Sequence, residues 1–250
     1  MSGLAPEVEV VFIPGLNNSS ASWLPTVRAL PTGIHGISVD CPPISDIDEL
    51  AADLLTGLPE RFVVVGHSFG GYVALTMLAT HPERIEGIVL VNSGTGSDTD
   101  AAAAGRLEKA EQAVSGGYEE LANAASARAY HPSNAGDPAI MAARASGIRE
   151  YGAERYAAHQ KASAARPDRT EVLSRAKIPK LVVSADEDLV VPTAKQEAMA
   201  EAVGAPQQVI PQTGHMLPAE APEQLARVIA DFVTAQVASA EPSQRQGATR

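Results

Sequence analysis

The residues best placed to do chemistry are Gly66-His67-Ser68-Phe69-Gly70, a Gly-x-Ser-x-Gly pattern. It follows a Val-rich run at 61–65 and opens an almost wholly apolar stretch at 69–80, so a strand is expected to turn sharply into a helix at Ser68. Glycine two positions before and two after the serine removes the side chains that would clash in so tight a turn. The serine Oγ then projects above the carboxyl ends of the strands, beside a helix N-terminus whose backbone N–H groups can stabilise an oxyanion. A neutral hydroxyl is a weak nucleophile and needs an adjacent base, and the base needs a carboxylate to fix its tautomer. Six histidines could serve: His35, His67, His81, His131, His159 and His215. The loop Ser184-Ala185-Asp186-Glu187-Asp188-Leu189-Val190-Val191-Pro192 offers two aspartates as the carboxylate.

The elements that must hold these residues are legible as alternating patterns. Short β-branched runs predict strands over 8–13, 36–39, 61–65, 88–91, 180–184 and 208–210. Ile47, Leu50, Ala51, Leu54, Leu55 and Leu58 recur at helical spacing, as do Leu225, Val228, Ile229, Phe232 and Val233, and a further helix is expected over 193–203. Strands alternating with helices imply right-handed crossovers and a mostly parallel sheet. Residues from about 100 to 165 are Ala-rich, contain no strand-like run and are punctuated by Gly116-Gly117 and by 131–138, which predicts three or four helices. The expected organisation is a core of 1–94 and 170–238, a helical insertion at 95–169 and a flexible polar tail at 239–250.

Composition narrows the function classes. The chain has 250 residues, 45% apolar and 20% charged, enough for one domain with a sizeable core. Its formal net charge of −11 and scattered basic residues argue against nucleic acid as a partner. No apolar run reaches the length of a membrane span, and the first residues carry no secretory pattern, which points to a cytoplasmic protein. Cys41 is the single cysteine, so an intramolecular disulfide and a cysteine-rich zinc site are excluded.

The serine turn in its strand–turn–helix setting, followed by an aspartate loop and then a Gly-His loop, resembles the α/β-hydrolase superfamily over about 8–233. The resemblance implies a mostly parallel sheet of about six strands flanked by helices, with the helical insertion acting as a cap. It implies Ser68 as nucleophile and His215, in Thr213-Gly214-His215-Met216, as base. It aligns Asp188 with the acid, with Asp186 as its competitor. Oxyanion donors would be the backbone N–H groups of Phe69 and of Leu16, in the loop after the first strand. That loop carries Pro14-Gly15 where the superfamily usually has His-Gly, a change that removes an imidazole and leaves the backbone donor. Asp40-Cys41-Pro42-Pro43-Ile44-Ser45 replaces a usually Gly-rich loop, and the leading hairpin is absent or severely shortened.

Further expectations follow from the resemblance. Gly15, Asn17, Trp23, His159 and Met216 are candidates for the substrate pocket, with core packing against the sheet as the favoured reading of Trp23. His67, in the variable position of the turn, is expected to be structural, and His35, His81 and His131 to be solvated. The expected activity is hydrolysis of a small, largely apolar carboxylic ester or lactone by a serine esterase, as monomer or homodimer, without metal or organic cofactor. A carbon–carbon bond hydrolase, a cofactor-free perhydrolase and a ligand receptor with vestigial hydrolase activity share the same three residues and stand as alternatives.

Overall fold

Runs of β-branched and aromatic residues make strands apolar on both faces, and such strands need helices above and below them. The computed structural model, which describes residues 8–126 and 128–237, has that arrangement. In chain order the elements are β1 (Val8–Ile13), α1 (Leu24–Arg28), β2 (Ile34–Ser38), α2 (Ile47–Leu55), β3 (Phe62–His67), α3 (Phe69–Thr80) and β4 (Ile85–Val91). Then come α4 (Asp100–Gln112), α5 (Tyr118–Ser126), α6 (Pro138–Ala165), α7 (Thr170–Arg175), β5 (Lys180–Ala185), α8 (Thr193–Val203), β6 (Gln207–Ile210), α9 (Leu217–Glu220) and α10 (Pro222–Phe232). The strands form one six-stranded sheet in the order β2-β1-β3-β4-β5-β6, parallel throughout. The tail at 239–250 lies outside the described residues.

Alternate residues of the central strands feed two separate cores. Val11, Ile13, Val64, Ile88 and Leu90 pack with α2 and α3 on one face. Val10, Phe12, Val63, Val65, Val89 and Val91 pack on the other with Leu225, Ile229 and Phe232 of α10. The apolar stretch after Ser68 becomes α3, buried nearly all round because it lies across the middle of the sheet. Asp46 caps α2 by accepting from the N–H groups of Asp48 and Glu49.

Several boundaries differ from the expected ones. Strand β4 begins at Ile85, three residues early, because Ile85 pairs with Phe62 across a register shift that the Glu86-Gly87 step conceals in the sequence. Helix α2 stops at Leu55 because Thr56-Gly57 closes it with turn hydrogen bonds. Trp23 ends a short 3₁₀ turn (Ser20–Trp23) from which α1 continues. Helix α7 has no strong periodic signal and was not expected.

The segment between β4 and β5 is helical, with α4 packed against α6. Two of its breaks fall at glycines with positive φ, Gly116 at 100° and Gly152 at 76°, so α6 is two helical pieces in one run. Among the described residues, no helix is long and apolar enough to cross a membrane.

Candidate active site

Ser68 sits on the turn between β3 and α3 with φ 52° and ψ −115°, a conformation that non-glycine residues rarely hold. Its surroundings leave it no alternative. A Cβ at Gly70 would run into the carbonyl of Ile13, one at Gly66 into the backbone of Gly70, and one at Gly71 into Ser93 Oγ. The backbone of Ser68 is fixed by its N–H to Val91 O (2.9 Å) and by Ser93 Oγ, which donates to its carbonyl (2.8 Å). The side chain remains partly accessible. Phe69 opens α3, so its N–H has no partner within the helix.

His215 Nε2 lies 2.9 Å from Ser68 Oγ, and its Nδ1 lies 2.8 Å from Asp188 Oδ2. An ionised carboxylate only accepts, so Nδ1 carries the proton and Nε2 is left as the acceptor facing the serine hydroxyl. Asp188 Oδ1 accepts from the N–H groups of Val190 and Val191, each at 2.8 Å, while Gln196 Nε2 donates to Oδ2 at 3.3 Å. All of its acceptor positions are therefore directed.

Of the two aspartates in that loop, Asp186 faces the other way. It accepts from the N–H groups of Gln212 and Thr213 and fastens the β5 loop to the β6 loop. Burial alone would raise its pKa, but these donors outweigh burial and hold the carboxyl below its ordinary range.

His67 is structural. Its Nε2–H donates to the carbonyl of His215 (2.8 Å), and its ring stands edge-on to Trp23. Burial, with the neighbouring imidazole of His215, depresses its pKa to about 3, so it stays neutral and keeps that donor.

Three supports were not singled out from sequence. Asn92, buried at the end of β4 with φ 44°, donates to the carbonyls of Gly214 (3.1 Å) and His215 (2.9 Å) and accepts from Ala185 N–H (2.8 Å). One amide thus ties the histidine loop to the strand that precedes the aspartate. Gln196 holds Asp188 and accepts from Ser184 Oγ. Glu220 accepts from Gly214 N–H and Met216 N–H with one oxygen, and from His131 N–H and Asn134 Nδ2 with the other. The only sequence signal for them is a polar residue at the end of an apolar strand (Asn92) or on a helix beside a loop.

Two cavities border Ser68 and a further one adjoins the first of them. One of about 190 Å³ is bounded by Ser68, His215, Leu16 and Met216 below and by Ala122, Tyr130 and Ile148 of the intervening helical segment above. An adjoining cavity of about 390 Å³ shares Asn17, Asn18, Tyr130, Arg144 and Met216 with it. A third, of about 430 Å³, lies on the Phe69 side of Ser68.

Of the residues expected in a pocket, Asn17 and Met216 line the first two cavities. Asn17, at φ 61°, is held by Tyr118 Oη at 3.0 Å. Gly15 packs behind them, where a Cβ would lie 2.9 Å from His67 Nδ1.

Two residues fall elsewhere. Trp23 is wholly buried against Phe12 and His67, because its indole fills the core beneath the loop. His159 is wholly buried too: it stacks on Phe69 at 4.6 Å, accepts from Tyr151 Oη and donates to Pro42 O. Burial lowers its pKa to about 4, and it braces Phe69 from behind without lining any of the three cavities.

Solved hydrolases share this architecture. The chain superposes on an esterase of Thermogutta terrifontis with a TM-score of 0.86 and 25% identity, over 92% of this chain and 90% of that one. An enol-lactonase from Burkholderia xenovorans LB400 gives a TM-score of 0.81 and 25% identity, over 93% and 92% respectively. A pimeloyl-[acyl-carrier protein] methyl ester esterase of Vibrio atlanticus is 34% identical over 101 residues, covering 37% of this chain and 38% of its own. The family model described as the alpha/beta hydrolase family matches residues 10–228. With that match running from β1 into α10 and including the serine turn, the chain belongs to the alpha/beta hydrolase family.

Proposed function

We propose that this hydrolase of ester bonds cleaves small carboxylic esters or lactones through an acyl-enzyme on Ser68. The observation that carries the reading is the continuous hydrogen-bonded line Ser68 Oγ–His215 Nε2 and His215 Nδ1–Asp188 Oδ2. His215 Nε2 takes the hydroxyl proton as Oγ attacks the carbonyl carbon. The resulting oxyanion is held by the N–H groups of Phe69 and Leu16. The imidazolium, stabilised by Asp188, then gives its proton to the departing alkoxide. Water, deprotonated by the same nitrogen, attacks the acyl carbon, and collapse of the second oxyanion returns Oγ and the carboxylic acid.

The helical segment at 95–169 acts in this reading as the cap. It supplies the upper walls of the cavity beside Ser68 and limits water there. The apolar wall residues Ala122, Ala125, Ala129, Ile148 and Met216 favour a small acyl group with substantial hydrocarbon character.

A panel of short-chain p-nitrophenyl esters and small lactones tests the reading. Enzyme-dependent p-nitrophenolate release, falling as the acyl chain outgrows the cavity, is the expected result. Release no faster than in buffer across the whole panel, with the lactones also untouched, would overturn it.

A further inference from the structure

The cavity beside Ser68 carries a charge pattern opposite to that of the whole molecule. The chain has a net charge of −11. Among the described residues lining this cavity there is no aspartate or glutamate, but there are two cations, Arg144 of α6 and Lys109 of α4. Arg144 is half-buried and stands at the junction with the adjoining cavity, lining both. Its Nη2 donates to Ala122 O (3.2 Å) and Asn123 Oδ1 (3.1 Å), and both partners are neutral. No carboxylate lies within ion-pair distance of it among the described residues. Glu150, the one acid on the adjoining cavity's described wall, accepts instead from Ser146 Oγ.

A half-buried guanidinium on a cavity wall with no carboxylate partner gains a charge-assisted contact when a ligand brings the negative charge. Fixed through one nitrogen by a backbone carbonyl and a side-chain amide oxygen, it still has a planar fork of donors that suits a carboxylate.

We propose that Arg144 is a specificity-determining residue, and that the preferred substrate is an ester or lactone whose acyl portion ends in a carboxylate. This rests on the acyl-enzyme reading and names its substrate class. The reacting carbonyl lies at Ser68, the hydrocarbon part runs along Ala122, Ile148 and Met216, and the far carboxylate meets Arg144, with Lys109 at the rim adding attraction. An overall acidic protein repels anions in solution, so a local cationic wall is what would admit one.

The test compares two substrates of equal length, mono-p-nitrophenyl adipate and its ω-methyl ester, read by p-nitrophenolate release at neutral pH. The free acid is expected to have a kcat/KM at least about tenfold above the methyl ester, the scale of one charge-assisted hydrogen-bonded pair. High salt should narrow the ratio. Arg144→Gln should lower it by about tenfold or more, while Arg144→Lys, which keeps the charge and loses the fork, should retain part of it. Equal rates on the two esters, or a ratio unaltered in Arg144→Gln, would overturn the proposal. If neither ester is turned over, the acyl-enzyme reading fails, and calorimetry with Ser68→Ala still decides the binding claim. Adipate binding more tightly than dimethyl adipate, with the difference lost on adding Arg144→Gln, supports it; no such difference rejects it.

Discussion

Ser68→Ala is expected to lower kcat/KM for p-nitrophenyl butyrate by about a thousandfold or more, to whatever the oxyanion donors alone sustain. The loss should appear in kcat, because Oγ forms a bond only along the reaction path. The fold should survive. The hydrogen bond of Oγ is to His215 Nε2, whereas the turn is held by backbone contacts to Val91 and by Ser93. Circular dichroism and Tm close to those of the parent chain would show this. A variant that retains parental turnover would remove Ser68 from the mechanism.

Asp188→Asn is expected to cost about a thousandfold to ten-thousandfold in kcat, for a reason visible in the loop. Asp188 Oδ1 is already fixed by two N–H donors, Val190 and Val191. An asparagine oxygen would keep that place, so its NH₂ would point at His215 Nδ1. That nitrogen would then have to accept, the ring proton would move to Nε2, and the acceptor facing Ser68 would be gone. Asp186→Asn should weaken the link between the β5 and β6 loops and lower stability, with a far smaller effect on rate, because its carboxylate accepts from Gln212 and Thr213 N–H groups and not from His215. The reverse pattern, in which Asp186→Asn abolishes turnover and Asp188→Asn does not, would exchange the two roles.

The sequence carries the scaffold clearly because strand runs and the serine turn are local signals. Val8–Ile13, Phe69–Thr80 and Thr193–Val203 fall where periodicity puts them, since each pattern reflects burial decided over a few residues. Strand β4 starts early because pairing with Phe62 makes Ile85-Glu86-Gly87 extended, and pairing is not a local property.

The candidate site is legible only in part. The glycines around Ser68 announce a tight turn, and the order of serine, aspartate and histidine follows the resemblance. Asn92, Gln196 and Glu220 are silent in sequence because their partners, loop backbone for Asn92 and Glu220 and the Asp188 and Ser184 side chains for Gln196, come near them only through the fold, and an isolated polar residue reads as surface. His159 misleads for the complementary reason. A histidine on an insertion helix reads as a candidate substrate contact, yet here Phe69, Tyr151 and the Pro42 carbonyl enclose it.

The most direct measurement of the central claim is covalent labelling by diethyl p-nitrophenyl phosphate, which reacts as Oγ displaces p-nitrophenolate from phosphorus. The account predicts one diethylphosphoryl group per chain by intact mass, located by peptide mapping on Ser68, with loss of ester turnover in proportion to labelling and no label on Ser68→Ala. Label on a different residue, or an unlabelled protein that continues to hydrolyse esters in excess reagent, would contradict it.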